Sequence, residues 1–295
     1  MRHSARKKQL RRRCLLAGFF GAAGTAFLVL TAGGGEPPQS RYLGENSGEE
    51  IFSESGQEVQ PSGPSAEETE ILEKLTALAE SDSRIRQVLE NAGQYPEDIL
   101  KAVAENPETA GFALGYPAKK NRTPASTIGP VEKGQIPELI QWDERWGYVW
   151  YGDGVLGVTG CGPTALSMVA AGLTGDDSVT PAEVAAYAEK NGYYVRDVGT
   201  GWDLMTEGCR AFGVSGQELP LQKNVIFDRL EEGSPVICSM KPGDFTSQGH
   251  FIVLAGVEQG KIRVRDPNSP SRSGRLWEYE TLEPQINNLW AFVLL

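Results

Sequence analysis

Gly160-Cys161-Gly162-Pro163-Thr164 runs directly into an apolar stripe at Leu166, Val169, Ala170 and Leu173, which recurs at helical spacing. A cysteine so placed sits at a helix N-terminus, where the dipole lowers the thiol pKa and backbone N–H groups are free to bind an oxyanion. The flanking glycines let a scissile carbonyl approach closely. A thiolate nucleophile also needs an imidazole. The sequence holds two histidines, and His3 lies in a basic N-terminal tail, so His250 is the imidazole available. His250 opens the apolar run HFIVLAGV, and Asp266 closes the next run, KIRVRD. If Glu258, Gln259 and Gly260 turn a hairpin, residue 250 opposes 268, and Asp266 becomes a same-face diagonal neighbour able to orient the ring. Cys161, His250 and Asp266 then read as nucleophile, base and orienting group for attack on a peptide or amide carbonyl. The bland readings are a buried small hydrophobe for Cys161, a satisfied strand-end histidine for His250 and an Asp-Pro turn for Asp266. One histidine outside the tail and no paired cysteines cannot build a zinc site of the usual kind. No metal or cofactor is expected.

Four pieces in order, QWDxRW from Gln141, GCGPTALSM from Gly160, GHFIVL from Gly249 and VRDP from Val264, resemble the bacteriocin-processing-like (double-glycine leader peptidase-like) cysteine peptidase family, a branch of the papain-like fold. The resemblance covers residues 136–295. It implies that Gln141 supplies an oxyanion-hole donor beside the Cys161 backbone N–H. Gln141 lies twenty residues ahead of Cys161, whereas transporter-coupled members place this glutamine only a few residues ahead, so the intervening GYVWYGDGVLGVTG has to loop out. No Walker-type motif occurs in the sequence, and the resemblance therefore implies a stand-alone relative. The expected reaction is hydrolysis through a thioester acyl-enzyme, with a peptide or protein as substrate. Two alternatives remain: an acyl-transferase using the same thioester, and a catalytically inactive binding module on the same fold. Trp142, Trp146, Tyr148, Trp150 and Tyr151 read either as a substrate groove or as core.

The elements that must position these residues follow from pattern and punctuation. Thr180-Pro181-Ala182-Glu183 is a capping box with proline at the first helical position, and Gly192 is placed to end that helix. Trp202, Met205, Cys209 and Phe212 read as one face of a further helix stopped by Gly213, and Val225 to Leu230 as another stopped by Gly233. Pro235–Met240, His250–Val257, Lys261–Asp266, Leu276–Tyr279 and Leu289–Leu295 read as strands. Helices first and antiparallel strands after predict an α+β domain over 136–295. Upstream, Ser65 and Glu68 resemble a capping box before Ile71, Leu72, Leu75 and Leu78. Further helical runs around Ile85, Ile99 and Phe112 complete a small helical region, 66–116, joined to the main domain by a polar connector at 117–135.

The chain has 295 residues, 40% of them hydrophobic and 23% charged, which is ordinary for a globular protein. Seven of its 28 basic residues fall in the first 32 positions, leaving 21 against all 39 acidic ones. Such a surface argues against a nucleic-acid partner. Residues 1–13 read as a basic cytoplasmic tail, Cys14 to Ala32 as a transmembrane helix with the following chain exported, and 33–65 as a disordered stalk. The expected localisation is thus a single-pass cell-membrane protein with its catalytic domain outside; a cleaved signal peptide is the competing reading. Cys209 and Cys238 are candidates for a disulfide. The oligomeric state is left open.

Overall fold

The computed structural model describes residues 65–295. The tail 1–13, the expected span 14–32 and all but the last residue of the expected stalk lie outside the described residues. Among the described residues, no helix is long and apolar enough to cross a membrane.

Four helices come first: α1 (Ala66–Ala79), α2 (Ser83–Glu90), α3 (Glu97–Glu105) and α4 (Ala110–Lys119). Ser65 caps α1 by accepting from the Glu68 N–H at 3.0 Å, and Asp82 caps α2 by accepting from Arg84 N–H at 2.8 Å. Their apolar stripes, among them Leu75, Ile85, Val88, Ile99 and Val103, meet in one core. Each fully buried side chain of this kind contributes about 1.5–3 kcal/mol, taken as an upper value. Tyr148 and Val155 from the following domain complete that core. The Tyr148 ring stacks on Phe112 with centroids 4.5 Å apart, and its hydroxyl donates to the Phe112 carbonyl at 2.9 Å. The helical unit is therefore packed onto the domain.

Residues 120–149 contain no helix or strand, yet they are tied along the domain by backbone bonds. Ile128 N–H donates to Asp177 O, Gly134 N–H to Gly172 O and Gln141 N–H to Pro267 O, all at 2.7–2.8 Å. Ile128 and Leu139 are buried in the main core, so the connector is less loosely attached than its polar sequence suggests.

The main domain is α+β. Its helices are α5 (Cys161–Thr174), α6 (Pro181–Lys190) and α7 (Lys223–Glu231). Its six-stranded sheet contains β1 (Val214–Glu218), β2 (Val236–Met240), β3 (His250–Glu258), β4 (Lys261–Arg265), β5 (Leu276–Trp277) and β6 (Ile286–Leu294). The order across it is β1-β6-β2-β3-β4-β5, every neighbouring pair antiparallel. Successive strand residues face opposite ways, which splits the core in two. Ile237, Phe251, Val253, Trp290 and Phe292 pack with α5 and α6 on one face. Cys238, Met240, Ile252, Leu254 and Val264 pack with α7 on the other.

That split decides the cysteines: Cys209 is buried in the first core and Cys238 in the second, both as free thiols, so these two candidates do not pair. The single helix expected from Trp202 to Phe212 is broken into one turn, Asp203–Thr206, and a 3₁₀ segment, Gly208–Phe212. Gly208 lies at the break, where Tyr193 and Leu204 side chains occupy the space a Cβ would need. Glycine also disfavours a helix interior by about 1 kcal/mol. Cys209 remains core, but Trp202 is 44% exposed instead of forming part of a buried stripe. The expected strand at Leu276–Tyr279 is only two residues long, because Tyr279 begins a helical turn through Leu282.

Candidate active site

Cys161 is the first residue of α5, half-buried, with Gly160 as the N-cap. The His250 side chain and the backbone N–H groups of Phe251 and Gly162 all act on the Cys161 thiol to favour the charged form. Glycine is required at 162 for space: a Cβ there would lie 2.6 Å from Thr200 Oγ1 and 2.7 Å from Thr200 Cβ. Thr200 is itself held by Tyr151, hydroxyl to hydroxyl, at 2.8 Å.

His250 opens β3 and Asp266 directly follows β4. Between the strands the turn has two residues, Gln259 (φ 54°) and Gly260 (φ 74°), with Glu258 paired to Lys261. This differs from the three-residue turn expected. A bulge between Leu254 and Gly256 then inserts a residue into β3, and beyond it Val253 pairs with Arg265. Continued to the strand ends, this register sets 250 opposite 268, the same as expected. Asp266 accordingly reaches His250 diagonally, with Nε2 to Oδ1 at 2.7 Å. The other ring nitrogen is left for the thiol.

Both groups are buried, His250 at 7% exposure and Asp266 at 0%. The Asp266 carboxylate is fully occupied: Asn268 N–H donates to Oδ1 at 2.8 Å and Arg272 Nε–H to Oδ2 at 2.5 Å. The Asp266 N–H donates to Ser273 Oγ at 2.8 Å, which fixes the backbone as well.

Burial alone would raise the Cys161 thiol, but hydrogen bonding and charge from His250, with the two N–H groups, bring it below its ordinary value. Burial would lower the imidazole; the charge and hydrogen bond of Asp266, with help from Cys161, raise it instead to about 10. Asp266 is pushed up by burial and held below the carboxylate range by His250, then Arg272 and the Asn268 N–H. All three shifts favour a thiolate–imidazolium–carboxylate array.

Gln141 is brought to the same place despite its twenty-residue separation, because the Trp150–Tyr151 and Gly154–Val155 ribbon folds the intervening segment back on itself. It is 3% exposed. Its Nε2 donates to the carbonyls of Gly157 and Val158, both at 3.0 Å, and its buried Oε1 has no partner. Gln141, Cys161, His250 and Arg272 share a cleft of about 640 Å³, which Lys101 and Asn106 of the helical unit also line. The five aromatics of 142–151 do not line it. Trp146, Tyr148 and Tyr151 are buried core, Trp150 is 55% exposed, and Trp142 donates its indole N–H to Asn268 O at 3.1 Å.

Asn268, Arg272 and Asn106 were not singled out in the sequence. Asn268, directly after the Asp266-Pro267 pair, carries a local turn signal. Arg272 reaches the site from the helical turn Pro270–Ser273 of the same loop, and Asn106 only through a contact distant in sequence. Among the described residues, no group of three or more His, Cys, Asp or Glu side chains is close enough to hold a metal ion.

No curated protein matches the chain. Among solved structures, the peptidase domain of Streptococcus ComA, a bi-functional ABC transporter involved in a quorum sensing pathway, is 20% identical with a TM-score of 0.34, over 46% of this chain and 90% of that one. A C39-like peptidase from Bacillus anthracis is 16% identical with a TM-score of 0.36, over 54% of this chain and 95% of that one. The family model of the Peptidase_C39 like family matches residues 134–291, more than half of the chain and inclusive of Gln141, Cys161, His250 and Asp266. The resemblance carried by the four sequence motifs is to this same group, and the chain belongs to the Peptidase_C39 like family of cysteine peptidases.

Proposed function

We propose that this chain hydrolyses a peptide or amide bond through a Cys161–His250–Asp266 triad. The observation that carries the reading is the His250 ring, held by Asp266 through Nε2 at 2.7 Å in the cleft that Cys161 also lines. The thiolate attacks the carbonyl carbon, forming the S–C bond as the C=O π electrons move to oxygen. Imidazolium then protonates the leaving amine as the C–N bond breaks, which leaves a thioester. His250, now neutral, takes a proton from water, and the hydroxide formed attacks the thioester to release the acid and restore the thiolate.

The oxyanion is assigned to the Cys161 main-chain N–H, which has no intrahelical acceptor at the helix start, and to Gln141. One Gln141 N–H, now on Val158 O, turns to the substrate oxygen as it arrives. The chemistry of the family makes a peptide or protein the substrate. Membrane attachment through Cys14–Ala32, with the peptidase outside, is a further part of the proposal and rests on the hydropathy and charge of that segment alone.

The test is the pH dependence of iodoacetamide alkylation at Cys161, followed by peptide mass spectrometry, with and without His250→Ala. An apparent thiol pKa below about 8.5 that rises in the variant supports the activated pair. An ordinary pKa in both would turn the reading towards a binding module. Cleavage of a peptide library, abolished by Cys161→Ala, identifies the hydrolysis, and product analysis in the presence of amines separates it from acyl transfer.

A further inference from the structure

We infer that Asn106, in the α3–α4 junction of the helical unit, is a positioning residue for the Asp266 carboxylate and acts through Asn268. The inference rests on the triad reading and extends the working site into a part of the chain that lies outside the residues matched by the family model.

Asn106 Nδ2 donates to the Asn268 carbonyl at 2.6 Å and approaches Asn268 Oδ1 at 3.3 Å. The backbone N–H of Asn268 in turn donates to Asp266 Oδ1 at 2.8 Å, the same oxygen that meets His250 at 2.7 Å. One side chain of the helical unit thus grips the residue whose N–H aims the carboxylate. The orientation of the Asn106 amide is fixed independently, since its Oδ1 accepts from the Glu108 N–H at 3.1 Å and caps the 3₁₀ turn Pro107–Thr109. Flipping the amide would break both bonds.

Two further contacts fasten the same loop. Glu108 Oε1 accepts from the Ser271 N–H at 3.3 Å, and Trp142 donates to the carbonyl that Asn106 also uses. The loop between β4 and β5 is braced from within by the Asp266 N–H to Ser273 Oγ bond and by Arg272 on the carboxylate, and Asn106 adds a hold on Asn268 from outside the loop. Catalytic groups need placement within about 0.5 Å by a supporting shell, and here the helical unit supplies part of that shell. Its helices also form a wall of the cleft through Lys101 and Asn106.

The test is Asn106→Ser in the full-length chain. Serine can still cap the 3₁₀ turn by accepting from Glu108 N–H, carries no charge and is too short to reach Asn268. Thermal unfolding is expected to stay close to that of the parent, while the apparent Cys161 pKa in the alkylation assay rises and the rate near pH 6 falls roughly tenfold. Asn106→Ser combined with Trp142→Phe, which removes both donors to Asn268 O, is expected to fall further. An unchanged alkylation profile in the well-folded double variant would overturn the inference. His250→Ala is measured alongside: if it too leaves the profile unchanged, the triad reading has failed, whereas a shift in His250→Ala alone sinks only the role of Asn106.

Discussion

Arg272 Nε lies 2.5 Å from Asp266 Oδ2, on the carboxylate oxygen that His250 does not touch. The carboxylate is thereby divided between an imidazole that must gain and lose a proton and a guanidinium that never does. Arg272 keeps Asp266 ionised and fixes its plane.

Arg272→Met leaves Asp266 fully buried with one cationic partner fewer. Breaking a buried pair from one side costs about 3 kcal/mol at neutral pH. The pH dependence has a definite sign. Asp266 is held below its unfolded value, so its stabilising contribution is complete above about pH 4 and is lost as pH falls through the folded pKa. Urea midpoints of parent and variant should therefore differ strongly at pH 7 and converge towards pH 2. A gap that is the same at both pH values would show that Arg272 contributes through packing, for example over Phe245, and not through the carboxylate.

Asp266→Asn keeps the shape of the carboxylate and removes its charge. The imidazole, raised to about 10 chiefly by that charge working against burial, falls towards its ordinary range, and the thiol rises because its cationic partner is lost. Alkylation of Cys161 near pH 6 should drop at least about tenfold. Peptide hydrolysis adds a second limb, because the leaving amine needs the imidazolium. The parent rate should hold from the depressed thiol pKa up to about pH 10, and the Asp266→Asn variant should lose the alkaline part of that plateau first. A pH–rate profile of each, once a substrate is in hand, measures both limbs.

How far the sequence leads can be judged at His250 and Asp266. Strand alternation brought them to one face, but the turn expected there was one residue too long, and the bulge at Ala255 restored the register. Turn length and bulge compensate because the side-chain period of two punishes any net slip by exchanging the residues of β3 between the two cores that pack on its faces. Cys161 was legible because glycine, proline and a helical stripe are local signals. The broken helix at Gly208 was not, since its apolar spacing fits a helix and the Tyr193 ring that crowds Gly208 comes from a separate element. Asn106 and Asn268 stand 162 positions apart, and no local pattern announces such a contact.

Gln141 is buried with two donors satisfied and one acceptor orphaned. Gln141→Glu would set a carboxylate against the carbonyls of Gly157 and Val158, turning two hydrogen bonds into repulsions in a site of 3% exposure. A loss of about 2–3 kcal/mol is expected, or protonation of the new carboxyl near neutral pH. Gln141→Leu keeps the volume, removes the orphaned acceptor and should be milder in thermal unfolding, yet it removes the proposed oxyanion donor. Hydrolysis should then fall by about 10²–10³ in kcat while Cys161 alkylation, which forms no oxyanion, stays near the parent rate. Equal losses in the two assays would mean that Gln141 supports the 156–160 turn and does not touch the transition state.

Gly162 links the nucleophile to the Thr200 segment. An alanine Cβ would meet Thr200 Oγ1, Cβ and Cγ2 at 2.6–2.8 Å, and Thr200 cannot swing away freely because Tyr151 holds its hydroxyl. The Gly162 N–H is among the groups that lower the Cys161 thiol, so any shift of the first turn of α5 is felt there. Gly162→Ala should destabilise by about 1–3 kcal/mol, the usual cost of overpacking, and raise the apparent thiol pKa. Thr200→Gly removes every atom that the new methyl meets. If the clash is the cause, adding Thr200→Gly to Gly162→Ala returns the alkylation profile towards that of Thr200→Gly alone, with a coupling of about 1 kcal/mol or more in a double-mutant cycle of unfolding. Additive effects would instead place the requirement for glycine in the helix start itself, independent of Thr200.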